Sequence, residues 1–160
     1  MFQLQNTVSI ADIMNAALLI VAIIGIFFTY RQIKGSYKTQ KATFFKELYS
    51  TMFSDKDIRD AYYQIEYGKF VYDDDFHGSE YEKLFDRLLS FVDLVCDLYR
   101  QGIITDHEMS FFKYEFKRIY QNKNVQNYLV FLRDFYQAEV SGTEPFKSFI
   151  SYCEGALKSI

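Results

Sequence analysis

An all-α fold with one N-terminal transmembrane helix and an irregular cytoplasmic helical bundle is what this chain predicts. Residues 10–30, IADIMNAALLIVAIIGIFFTY, form an apolar run long enough to cross a bilayer. Helix-start signals at Ser54, Ser79, Thr105 and Asn124 divide most of the remainder into helical segments. No stretch alternates apolar and polar residues for long enough to argue a strand, and Phe70, Val71 and Tyr72 are too few to build a sheet.

At about 1.5 Å per residue, the run over 10–30 covers roughly 30 Å, the thickness of a hydrocarbon core. Only Asp12 and Asn15 dissent strongly, and both lie toward one end. A buried helix of a soluble protein would show a polar face, and none exists from Ala16 to Phe28. A cleavable leader would begin with positive charge and end in small residues, whereas this run ends in Phe27, Phe28, Thr29, Tyr30 and Arg31. The expected layout is a short extracytoplasmic tail over 1–9, the membrane helix over 10–30, a basic juxtamembrane helix over 31–53 and a cytoplasmic α-helical domain over 54–160.

Orientation follows from charge. No Lys or Arg precedes the run, while Arg31, Lys34, Lys38 and Lys41 follow it as a basic collar suited to anionic lipid. The expected location is a bacterial inner membrane, with the N-terminus outside and the rest in the cytoplasm. Projected at about 100° per residue, Asn15, Ala22, Gly25 and Thr29 share one side of the helix, with Asp12, Leu19 and Ile26 beside them. Small and polar residues on one stripe let membrane helices approach one another, and an ionisable residue in a span is a functional candidate. Two readings of this face stand side by side: a self-associating or pore-lining helix, and a plain anchor with Asp12 among head groups.

The helix is expected to continue past the membrane, with Gly35 and Ser36 as sites of bending or fraying. Phe44, Phe45, Leu48, Tyr49 and Met52 then recur at helical spacing and begin a buried face. Ser54 with Asp57 resembles a capping pair for a helix through Ile58, Tyr62 and Ile65 that ends near Gly68. Ser79 with Glu82 is a capping box for a helix carrying Leu84, Leu88, Phe91, Val92, Val95 and Leu98, stopped by Gly102. Thr105 with Glu108 opens a third, through Met109, Phe112, Phe116, Ile119 and Tyr120. Asn124 caps the next, carrying Val125, Leu129, Leu132 and Tyr136 and ended by Ser141 and Gly142. A final short helix starts near Pro145, burying some of Phe146, Phe149, Ile150, Tyr152 and Leu157.

The composition supports a packed core: 49% of residues are apolar and 19% aromatic, which argues against disorder. Cys96 and Cys153 have no CxxC partner and no His at ligand spacing, so they read as reduced core thiols and not as a disulfide or zinc site. Net charge is −3, unevenly spread, with an acidic balance from Ser54 to Arg100.

Catalytic signals are sparse. His77 and His107 are the two histidines, and serine elbows, phosphate-binding glycine loops and HExxH are absent. Asp73, Asp74, Asp75 and His77 lack the spacing of a calcium loop and read as a solvated acidic loop. No enzyme activity, cofactor or metal is expected. Lys113, Lys117, Arg118 and Lys123 share a region with Tyr114 and Tyr120, a mixture that can bind a nucleotide or single-stranded nucleic acid by charge and stacking. The simpler alternative is that these tyrosines only pack.

The segments YYQIEYGKF, DFHGSEYEKLFDRLLSFVDLVCDLYRQGIIT and FFKYEFKRIYQNKNVQNYLVFL resemble a bacterial membrane-anchored family classed as a domain of unknown function. The resemblance rests on IEYG (Ile65 to Gly68), HGSE (His77 to Glu80) and the aromatic run after them. It implies one N-terminal membrane helix and a helical cytoplasmic domain, and it transfers no active site. The layout is also similar to small membrane effectors of anti-phage defence. Two expectations follow. One is a homo-oligomeric, pore-forming membrane effector of four or more copies, controlled by a nucleotide or oligonucleotide ligand or by a protein partner from a neighbouring gene. The other is a membrane-tethered protein–protein adaptor without a pore.

Overall fold

The computed structural model describes residues 9–139 and 144–158. Among the described residues seven helices follow in order: α1 (Ile10–Ser54), α2 (Lys56–Glu66), α3 (Glu80–Arg100), α4 (Asp106–Met109), α5 (Lys113–Gln121), α6 (Lys123–Glu139) and α7 (Lys147–Lys158). No strand occurs among the described residues. The chain divides into two compact units between Phe44 and Phe45.

The first unit is the N-terminal part of α1, long and apolar enough to cross a membrane. The tail over 1–8 lies outside the described residues. The helix neither bends into separate elements nor frays at Gly35 and Ser36. The chain lacks a proline there, and side chains bond along the helix: Thr39 Oγ1 donates to the Gly35 carbonyl at 3.2 Å, and Gln40 Nε2 to Ser36 Oγ at 3.1 Å.

The second unit takes in the last turns of α1, because Leu48 and Met52 are buried there. Central to it is α3, which packs against α2 and α7 and buries Phe85, Leu88, Leu89, Phe91, Val92, Val95 and Cys96. The other hub is α5, which meets α2, α6 and α7 and buries Phe116 and Ile119. Between the hubs the core is aromatic. Phe112 stacks on Phe116 at 5.4 Å, Phe116 meets Phe149 edge-on at 6.1 Å, and Phe76 meets Tyr128 at 5.0 Å. Both cysteines are free and buried, as core thiols should be, and burial pushes the Cys153 thiol up to about 12.

Several helix ends differ from the sequence reading by a residue or two. Ser54 closes α1, and Asp55 caps α2 by accepting the Asp57 and Ile58 amides at 3.0 and 3.2 Å. Asn122, not Asn124, caps α6, accepting the Asn124 and Val125 amides at 2.9 and 3.2 Å. Asn124 instead donates to the Phe70 carbonyl at 2.7 Å and ties down the loop before α3. Thr105 and Glu108 form a complete capping box, yet their helix lasts one turn. Ser110 Oγ donates to the His107 carbonyl at 2.6 Å, and the Phe111 and Phe112 amides bond three residues back, so α4 and α5 separate. Gly68 and Gly102, at φ of 67° and 73°, end α2 and α3 as anticipated. Ser141 and Gly142, the proposed stop of α6, lie outside the described residues. In α7 Phe149 is buried, with Phe146, Ile150 and Tyr152 half-buried, while the Leu157 side chain lies outside the described residues.

Phe116 is fully buried between Phe112 and Phe149, whereas its near neighbour Phe111 is 47% exposed. Phe116→Ala should destabilise the second unit by about 3–5 kcal/mol and Phe111→Ala by less than about half of that. Denaturation of the full chain in detergent, followed by circular dichroism and tyrosine emission, separates the two.

Candidate functional site

Along α1 every side chain from Ile10 to Gln40 is exposed, including the whole stripe of Asp12, Asn15, Leu19, Ala22, Gly25, Ile26 and Thr29. Two members of that stripe have local work. The Asp12 carboxylate accepts the Ser9 amide at 2.9 Å while Ser9 Oγ accepts the Asp12 amide at 3.2 Å, a reciprocal cap on the helix start. Thr29 Oγ1 donates to the Gly25 carbonyl at 2.9 Å and turns its methyl outward. In the collar, Arg31, Lys34 and Lys38 are exposed and Lys41 is half-buried. The Arg31 guanidinium lies 6.0 Å from the Phe27 ring centre, at the edge of cation–π range.

The second basic group does not form one binding face. Tyr114 donates to Glu66 Oε1 at 2.9 Å, and Arg118 reaches Glu66 Oε2 at 3.1 Å and the Glu66 carbonyl at 3.2 Å. Both therefore clamp the C-terminal end of α2. Tyr120 is half-buried edge-on against Phe149 at 5.8 Å. Lys113 lines a separate groove with Tyr99, Asp106 and Tyr152, and Lys123 stands exposed at the first turn of α6. Beside the Glu66 clamp sits Glu115, whose Oε2 is buried without a hydrogen-bond partner. Burial, and then the charge of Glu66, hold this carboxyl above the usual glutamate range.

A polar network around His77 went unread in the sequence. His77 Nδ1 donates to Glu82 Oε1 at 3.0 Å, which leaves Nε2 to accept the Tyr72 hydroxyl at 3.0 Å. Glu82 Oε2 also takes the Gly78 amide at 2.6 Å, so the expected box with Ser79 is displaced by one residue. Ser79 Oγ still caps α3 through the Glu82 amide at 3.2 Å. Tyr128 donates to Asp86 at 2.7 Å and lies 3.3 Å from Glu82, while the Phe131 ring covers the imidazole at 4.2 Å. The spacing from His77 to Glu82 was the available clue, but it looks like an ordinary cap until Tyr72 and Tyr128 are placed. Partial burial raises the Glu82 carboxyl, yet the Gly78 amide and His77 outweigh it and hold it below the ordinary value. Burial holds Asp86 above its ordinary value, against the Tyr128 hydrogen bond. Both imidazole nitrogens are engaged and burial raises the Tyr72 phenol, so the network holds the loop before α3 and presents no activated nucleophile.

A groove of about 600 Å³ runs along α3 and is lined by Asp86, Asp93, Asp97, Leu132, Tyr136 and Glu144 among others. Its carboxylates also have structural partners: Asp93 accepts the Phe149 amide at 2.8 Å and Asp97 the Ser148 hydroxyl at 3.3 Å. Among the described residues no group of three or more His, Cys, Asp or Glu side chains is placed to hold a metal ion. No family model, curated protein or solved structure matches this chain.

Glu82 and Glu115 should move stability in opposite directions. A carboxyl held below its ordinary value stabilises the fold above that value and loses its contribution as pH falls through the folded one. Glu82→Gln should therefore cost about 1 kcal/mol at neutral pH, and less in acid. A carboxyl held above its ordinary value opposes folding at neutral pH, so Glu115→Gln should raise the unfolding midpoint there, with the gain fading as pH falls. Thermal melts of both variants from neutral pH to pH 4 check the two signs.

Proposed function

We propose that this chain is a homo-oligomeric single-pass membrane effector. Its N-terminal end lies outside a bacterial inner membrane and its helical unit lies in the cytoplasm. The observation that carries the reading is the exposure of α1. From Leu18 to Ile24 none of its large apolar side chains is buried among the described residues, and the residues around them hold almost no charge. The basic collar after Tyr30 supports the orientation by the positive-inside rule. One helix encloses nothing, so any conduit needs several copies, and the Asn15, Ala22, Gly25 and Thr29 stripe gives them a close-approach face.

Control by a ligand fits the Glu66 clamp. An anionic nucleotide or oligonucleotide that takes Arg118 and Tyr114 must displace Glu66 and so release the end of α2. Such a ligand binds the two arrangements unequally, which is what shifting a population requires. A protein partner that reaches the same clamp would act alike. The likeness in layout to small anti-phage effectors makes membrane permeabilisation on infection the biological setting of this proposal.

Asp12→Leu combined with Asn15→Leu should abolish ion flux from liposomes and toxicity in cells while leaving membrane insertion intact. Mass photometry of the full chain in nanodiscs should show a discrete particle of four or more copies. Full flux from the double variant, or a monomeric particle, sinks the conduit.

A second reading is favoured by one observation. Asp12 is occupied in capping its own helix and Thr29 is satisfied by Gly25, so the stripe presents less free polarity than a conduit would use. On this reading the helix only tethers an adaptor whose helical unit a protein partner reads. Replacing residues 10–30 by a poly-Leu span should then preserve function in cells, whereas a pore should lose it.

A further inference from the structure

Past the apolar run, α1 continues as RQIKGSYKTQKATF, in which every side chain from Arg31 to Gln40 is exposed. Its large apolar residues are few, and they are regularly placed. Tyr30, Tyr37 and Phe44 stand seven residues apart, and Ile33 and Gln40 fall between them, so spacings of three and four alternate. Tyr30, Ile33, Tyr37 and Phe44 are 62%, 64%, 67% and 40% exposed. Arg31, Lys34 and Lys38 all fall off this line, as do Gly35 and Ala42. With Gln40 counted in the line, the average step of about 3.5 residues is the period of a helix packed lengthwise on another helix.

The period does not begin at Tyr30. Stepping back by alternate fours and threes reaches Ile26, Ile23, Leu19, Ala16 and Asp12, so the line enters the apolar run without a break in phase. Beside it runs a row of small or polar residues at strict seven-residue spacing: Asn15, Ala22, Thr29, Ser36 and Thr43. Of the membrane stripe, Asp12, Leu19 and Ile26 fall on this line and Asn15, Ala22 and Thr29 on the row beside it, with Gly25 off both.

We propose that this seam, from Tyr30 to Phe44, docks in parallel register on the same segment of a second copy of this chain. The occupant is specified by three features. A span that crosses the bilayer in one direction fixes all copies parallel and brings equivalent residues to equal depth. The repeat is shared with the membrane stripe, so the two surfaces meet simultaneously only on a partner with the same repeat. Arg31, Lys34 and Lys38 are exposed and lie off the seam line, where a parallel pair leaves them in water. Gln40 is the polar exception, and a lone polar residue in such a seam costs stability while selecting one register. The inference rests on the single-pass reading above and adds to it where the copies touch.

Single cysteines introduced into the full chain in liposomes test this. The native Cys96 and Cys153, 1% and 3% exposed, stay in place. Ile33→Cys, Tyr37→Cys, Gln40→Cys and Phe44→Cys should yield disulfide-linked dimer several-fold more efficiently under mild oxidation than Gly35→Cys, Lys38→Cys and Ala42→Cys. Equal yields at all positions overturn the seam. So does shielding of the seam cysteines from a water-soluble maleimide without any cross-link, which would mean that the aromatics lie on lipid. Failure here is distinct from failure of the effector reading. A particle of four or more copies with no heptad pattern refutes the seam alone, whereas a heptad pattern with a two-copy particle and no flux supports the seam and refutes the conduit.

Discussion

Six consecutive or near-consecutive apolar side chains in α1, Leu18, Leu19, Ile20, Val21, Ile23 and Ile24, each keep roughly half or more of their surface free. Burying one such side chain fully is worth about 1.5–3 kcal/mol, so half of that over six is on the order of 5–10 kcal/mol. This is comparable with the whole net stability of an ordinary domain, about 5–15 kcal/mol. That much unburied apolar surface belongs to a helix long and apolar enough to cross a membrane. The second unit is different. It buries aromatic side chains from α2, α3, α5, α6 and α7, together with Leu48 and Met52 from the end of α1, so the two units draw on different sources of stability.

Within the second unit, polar contacts position elements that the core alone would leave loose. Arg87 on α3 bridges Asp55 and Asp57 at the start of α2, and Asp93 caps the first turn of α7. Arg118 on α5 holds the end of α2. Each is a partly exposed contact worth about 1 kcal/mol or less, so none is a main support of the fold. Their value is in registration: α2 is held at one end by α3 and at the other by α5. The Glu66 end is the more consequential, because Glu115 stands close by with an unsatisfied oxygen and a second negative charge. Two carboxylates brought together make this end of α2 the less firmly held of the two.

Much of this architecture was legible because it is local. The apolar run, the Ser79 and Thr105 caps and the Gly68 and Gly102 stops depend on residues within one turn of each other, and they fell where expected. The errors came where side chains compete for the same backbone. Asp55 and Ser54 both suit an N-cap, as do Asn122 and Asn124, and the choice between them is settled by neighbours distant in sequence. Asn124 is drawn off by Phe70, 54 residues away. The break between α4 and α5 was hidden because the apolar period runs through it unchanged, and only the Ser110 hydroxyl marks the interruption. The engagement of Tyr114 and Arg118 was hidden for a similar reason. Their partner, Glu66, lies 48 to 52 residues earlier, and no local pattern announces a pairing over that distance.

The seam over 30–44 raises a question of sufficiency, since three aromatics and one isoleucine would hold free helices together only weakly in water. Association in solution must remove the rotational and translational freedom of both partners, a cost that readily exceeds what so few contacts return. Copies confined to one bilayer with their spans parallel have already lost most of that freedom, so the effective concentration of the seams is high before any of them touch. A short, polar-interrupted interface is then strong enough to organise an assembly and weak enough to be broken by a change in the attached helical unit. A long, wholly apolar heptad would hold the copies permanently. In the assembly proposed above, the sparse aromatic line and the lone Gln40 would suit contacts that form and release within the membrane plane.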